Sequence, residues 1–125
     1  MSAETISVPA MRNVVGVTPG IDALVLVRRN GEIVSAEGGR VDLLRQVASF
    51  AIGVHDVAER LAETAGRGAV EWTLVHASGG DVVAHDVDED HILLALSSDP
   101  NALGSLVHDL AWCVNQLRTE ATWNP

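Results

Sequence analysis

The chain has 125 residues, 47% of them hydrophobic, and a formal net charge of −9. That length and apolar content fit one domain with a real core, and the charge, with eight Arg and no Lys, excludes the clustered cations that bare nucleic acid or an anionic membrane requires. A single cysteine, Cys113, excludes an intramolecular disulfide or a multi-cysteine zinc site and fits a reducing compartment.

Residues 1–8 are polar, carry no charged-then-apolar leader, and are expected to be disordered. Pro9 to Val15 predicts a short helix, with Pro at its first position and Ala10, Met11, Val14 and Val15 as its apolar face. Gly16 to Gly20 breaks it. Ile21 to Arg28 is apolar on both faces, as a central strand is. Asn30-Gly31 predicts a type I′ hairpin turn, and Glu32 to Ala36 the return strand. Gly38-Gly39 then frees the chain to enter its longest element.

Val41 to Ala65 predicts a long helix with two apolar seams. Leu43, Val47, Phe50, Val54, Val57 and Leu61 fall within roughly 40° of one line. A smaller seam, Val41, Leu44, Ala48, Ala51, Ala58, Ala62 and Ala65, lies about 100° round the cylinder. A helix on one core needs an apolar arc of about 100° or a little more; this one has roughly half the circumference by the same turn angle. It is expected to meet two surfaces, its own sheet and a partner subunit.

Gly66-Arg67-Gly68 ends that helix with a left-handed cap. Ala69 to His76 is the third predicted strand, with Val70, Trp72, Leu74 and His76 on one face. Ser78 to Asp81 turns the chain, Asp81 to Val87 is the fourth strand, Asp88 to Asp90 turns it again, and His91 to Ser97 is the fifth, apolar on both faces. Asp99-Pro100 is a helix start, and Leu103, Leu106, Leu110, Val114 and Leu117 keep helical period to about Thr119. Residues 120–125 are expected to be loose. No apolar run approaches the ~20 residues of a membrane span, so a soluble, cytoplasmic protein is expected. The order α-β-β-α-β-β-β-α with hairpins predicts an α+β sandwich over residues 9–119, its sheet mainly antiparallel and five-stranded, with helices on both faces.

The sharpest polar tract is His85-Asp86-Val87-Asp88-Glu89-Asp90-His91. It offers metal-ligand types but lacks the glycine and closing Glu of a calcium loop, so it reads as a solvated acidic turn. His55 lies on the small seam, as a satisfied packing or interface residue would. His76 and His108 have no nucleophile motif beside them, Ser35, Ser78 and Ser105 lack a nucleophile elbow, and Cys113 reads as a small buried hydrophobe. The glycine clusters lack the Lys of a phosphate loop. No catalytic residue, cofactor or metal is expected, and the protein is not read as an enzyme. Trp72 has two readings, core packing or interface anchor.

The stretch GVTPGIDALVLVRRNGEIVSA, residues 16–36, and the stretch ILLALSSDPNALGSLVHDL, residues 92–110, flank a long helix in an order that resembles the roadblock domain of the dynein light-chain type, and the MglB-like bacterial branch most. The likeness spans residues 10–118. It implies a five-stranded antiparallel sheet with the long helix on one face and the terminal helices on the other. It further implies dimers, through helix-on-helix contact and pairing of third strands. On that likeness the small seam makes the interface, with Leu44, Ala48, Ala51, His55, Ala58 and Ala62 on the helix and Val70, Trp72 and Leu74 on the strand. Ala51→Arg or Ala58→Glu is then expected to give monomers or insoluble protein. The implied partners are a second copy or a second roadblock protein, and a small Ras-like GTPase. MglB-like dimers stimulate hydrolysis without an arginine finger, so no catalytic residue carries over. The first helix is shorter than usual, which reduces any partner surface built on it. The rival readings are a structural scaffold subunit and a small-molecule-sensing domain.

Overall fold

The computed structural model describes residues 8–120. Five antiparallel strands form one sheet: β1 (Ile21–Arg28), β2 (Ile33–Glu37), β3 (Trp72–Ala77), β4 (Gly80–Asp86) and β5 (His91–Ser97), in the spatial order β2-β1-β5-β4-β3. The two strands expected to be covered on both faces are inner strands, and both keep the bounds read from sequence. β3 starts later than expected and forms one edge of the sheet.

Helices cover both faces. α1 (Pro9–Val17) and α3 (Leu103–Thr119) lie on one, and α2 (Val41–Thr64) on the other. Met11, Val14, Leu24, Leu26, Leu93, Leu106, Leu110 and Leu117 belong to the core beneath α1 and α3. Val25, Val27, Ile92 and Leu94 meet Leu44, Ala48 and Ile52 beneath α2. α1 runs two residues beyond the expected Val15, and the Thr18 hydroxyl just past it donates to Asp109 Oδ2 at 2.6 Å, tying α1 to α3. Val8, assigned by sequence to a disordered end, is 1% exposed, and its carbonyl accepts from the Met11 and Arg12 N–H groups. The expectations for residues 1–7 and 121–125 lie outside the described residues.

The β1–β2 turn is not type I′. That turn needs positive φ at both central residues, and among the described residues only glycines have it. Gly31, at φ +95°, donates to the Arg28 carbonyl at 2.9 Å. Asn30 Oδ1 instead accepts from the Glu32 N–H at 3.0 Å. The result is a three-residue loop closed by a glycine, and the pairing slips between Leu26 and Val27. α2 ends as expected: the Gly66 N–H donates to Glu63 and the Arg67 N–H to Ala62, the Schellman pattern with Gly66 at φ +71°. Asp99 Oδ1 accepts from the Asn101 N–H at 3.0 Å and caps a 3₁₀ turn, Pro100–Ala102, that leads into α3.

Candidate protein–protein interface

The two seams of α2 trade the places expected of them. Leu44 is 1% exposed, and Ala48 and His55 are 0% exposed, all beneath the helix against the chain's own sheet. These three are not available to a partner, which corrects their assignment to the dimer interface. The α2 face of the sheet presents Val25, Val27, Ile92 and Leu94, and the helix meets it along Leu44, Ala48, Ile52 and His55, whose spacings of 4, 4 and 3 place them on one side of the cylinder. Ile52, which belongs to neither seam in the sequence reading, is also buried there.

The large seam is thereby turned outward. Phe50 is 79% exposed, Leu61 69% and Val57 63%, and Leu43 and Val54 are exposed as well. Large apolar side chains in a row on a soluble helix are a binding signature, because scattered single ones are the norm and contiguous ones are not. Beside them a groove of about 320 Å³ runs between α2 and β3, lined by Val47, Phe50, Ala51, Val54, Thr73, Val75, Val82 and Ala84.

Among the described residues, β3 pairs with β4 on one side only. Its other side offers backbone N–H and C=O groups that a sheet edge normally blunts with charge, proline or cover. Thr73 and Val75 point to α2, while Leu74 packs on the opposite core, so Trp72 and His76 share that opposite face by alternation. Trp72 and Leu74 therefore do not join the α2 stripe; Val75 does. Ala51, Ala58, Ala62 and Val70 are half-buried. Phe50, Val57 and Leu61 on the large seam of α2 and Val75 on β3 are exposed, and the sequence reading assigned none of them to an interface, although the size of the three seam side chains was a signal for them.

A polar knot holds this surface in place. His55 Nδ1 meets the Thr73 hydroxyl on β3, and its Nε2 donates to Asp86 Oδ1 on β4 at 3.2 Å. Asp86 also binds the Arg29 guanidinium, which reaches Glu59 at 3.1 Å and Asp56 at 3.6 Å. Burial works against the charge on Arg29, but Asp86, Glu59 and Asp56 outweigh it and raise its pKa above the ordinary value. One ligand atom from each of His55, Glu59 and Asp86 lies within 4.8 Å of the others, a spacing that suits a metal ion. Arg29 already bonds both carboxylates, so a fixed cation fills that role. Of the expected acidic turn, Asp88 Oδ1 accepts from His91 Nδ1 and from the Asp90 N–H, both at 2.8 Å.

No family model and no curated protein matches the sequence. Solved structures do match the fold. A Roadblock/LC7 domain from Streptomyces avermitilis superposes with a TM-score of 0.79 at 19% identity, over 87% of this chain and 92% of that one. MglB of Myxococcus xanthus gives 0.76 at 15% identity, over 90% and 95%. The gliding protein mglB from Thermus thermophilus gives 0.72 at 15% identity, over 93% of each. No helix among the described residues is long and apolar enough to cross a membrane. With the five strands in antiparallel order, one long helix on one face and two on the other, the chain has the roadblock/LC7 fold of MglB-like structures.

Proposed function

We propose that this chain is a non-enzymatic, self-associating regulator or adaptor that acts on a small Ras-like GTPase by protein contact in the cytoplasm. The observation that supports the self-association is the row of exposed large side chains on α2 beside an unpaired strand edge. A second copy covers both at once, helix on helix and β3 on β3, and a two-fold interface of this kind uses the same patch on both chains. The GTPase reading rests on the MglB-like fold and on the sequence resemblance. The net charge of −9 fits a partner with a basic face.

The test pairs the purified chain with a Ras-like GTPase encoded beside it. Single-turnover GTP hydrolysis is expected to accelerate when the chain is added. Binding without acceleration assigns the chain to a scaffold instead. No binding at about 100 µM, on the order of the weakest useful contact, contradicts the GTPase proposal.

A further inference from the structure

The polar knot gathers more negative charge than its one cation balances. Asp56, Glu59 and Asp86 all meet the Arg29 guanidinium, so two of the three charges stay uncompensated. Two of these carboxylates converge on an imidazole. His55 and Glu59 lie one turn apart on α2 and project from one side of it, and Asp86 reaches the same point from the end of β4. One ligand atom of each lies within 4.8 Å of the others. Ligands about 2.0–2.2 Å from one ion sit roughly 3.3 Å apart, so small side-chain rotations close the set. The imidazole is already oriented for that task. Its side chain is 0% exposed, and its Nδ1 is tied to the Thr73 hydroxyl, outside the triad. A metal-bound histidine keeps its other ring nitrogen on such an outer partner. A hydroxyl serves both states, because it donates or accepts. With Arg29 in place, the Nε2 proton points to Asp86 and Nδ1 accepts from Thr73. With a metal on Nε2, the ring proton sits on Nδ1 and is donated to the Thr73 oxygen.

We propose that His55 Nε2, Glu59 and Asp86 bind a divalent first-row metal ion of the Zn²⁺ type, and that Arg29 is a tethered cation displaced when the metal binds. Imidazole with carboxylates is a donor set that such ions accept. Arginine stays charged at any ordinary pH, so it competes for the carboxylates and never joins the ligands. Its departure leaves the backbone in place. The Arg29 N–H donates to the Asp90 carbonyl at 2.9 Å, and only the side chain, 26% exposed, has to swing. A hollow of about 340 Å³ beside it, bordered by Arg28, Asn30, Asp90 and His91, has room for the freed guanidinium. The exchange replaces one positive charge by two, which meets the excess that the guanidinium leaves. The bound ion ties the second half of α2 to β4, so hydrogen exchange is expected to slow across residues 56–64. The site lies within one chain and stands whether or not two chains associate.

Zn²⁺ alone is the probe, titrated into the full chain by calorimetry. One saturable site is expected in the wild type. Arg29→Met removes the competitor and is expected to lower the dissociation constant about tenfold. Glu59→Gln removes a ligand while keeping the side chain's shape, and is expected to raise the constant at least about tenfold. Glu59 is partly exposed, so this variant decides the matter even where Arg29→Met fails to fold. His76→Gln and His108→Gln, at exposed imidazoles, are expected to leave the constant unchanged. Binding that follows His76 or His108 and ignores Glu59 marks an adventitious ion only and overturns the proposal. Binding by Arg29→Met with none by the wild type shows that Arg29 does not leave, and overturns it as well. So does the absence of saturable binding to either at about 1 mM Zn²⁺, on the order of the weakest specific contacts.

Discussion

Cys113 shows how burial sets reactivity. It is 0% exposed, and burial, with a smaller push from Glu120, drives its thiol up to about 12. The thiolate is the reactive form, so alkylation by iodoacetamide at about pH 8 is expected to stay slow until urea unfolds the chain; fast labelling of the folded protein contradicts the core position. Two other groups set an acid limit. Burial holds the His85 imidazole below its ordinary 6.5, against the pull of the Asp86 carbonyl. Unfolded, His85 takes its proton near pH 6.5; folded, it does so lower. Its contribution is complete above about 6.5 and is lost as pH falls through the lowered value. Burial tends to raise Asp88, but the His91 ring and the Asp90 N–H outweigh it and hold the carboxylate below 3.8. That contribution is present above about 3.9 and lost as pH falls through the lower value. The urea midpoint is therefore expected to fall in two stages, the first starting below about pH 6.5, and His85→Gln is expected to remove the first stage only.

Among elements, α2 is held by two kinds of anchor in separate halves. Its first half is held by apolar burial at Leu44, Ala48 and Ile52, and its last buried residue is His55. Beyond that, Asp56 and Glu59 reach Arg29 instead. Arg29→Met is expected to cost about 1–2 kcal/mol, less than a fully buried pair because the group is partly exposed. Hydrogen exchange should rise across residues 56–64 and not across 44–52; a uniform rise contradicts this division of labour. The same helix marks where sequence stops being legible. β1 and β5 kept their bounds because an inner strand is apolar on both faces and allows no other reading. β3 did not, because its first paired residue is fixed by the opposite strand, Trp72 against His85. The two seams of α2 were visible as seams, but both were apolar, and only packing against the sheet decides which one turns inward. The partners of His55 lie at Thr73 and Asp86, too far along the chain for any local pattern to name them.

For the whole molecule, the central claim is that one chain leaves its largest helix half uncovered. A stable interface buries on the order of 1,600 Å² in total, and the row from Leu43 to Leu61 with the β3 edge is the surface available for it. Replacing Val57 with Asp places a charge in that row without touching the sheet, since Val57 is exposed. The variant is expected to keep the wild-type circular dichroism spectrum and to sediment as a single chain. The most direct measurement is sedimentation velocity on the wild-type chain and Val57→Asp side by side, from about 1 to 100 µM, the range from tight to weak association. The wild type is expected to sediment with the mass of at least two chains and the variant with the mass of one; a wild-type chain that stays single at every concentration contradicts the claim.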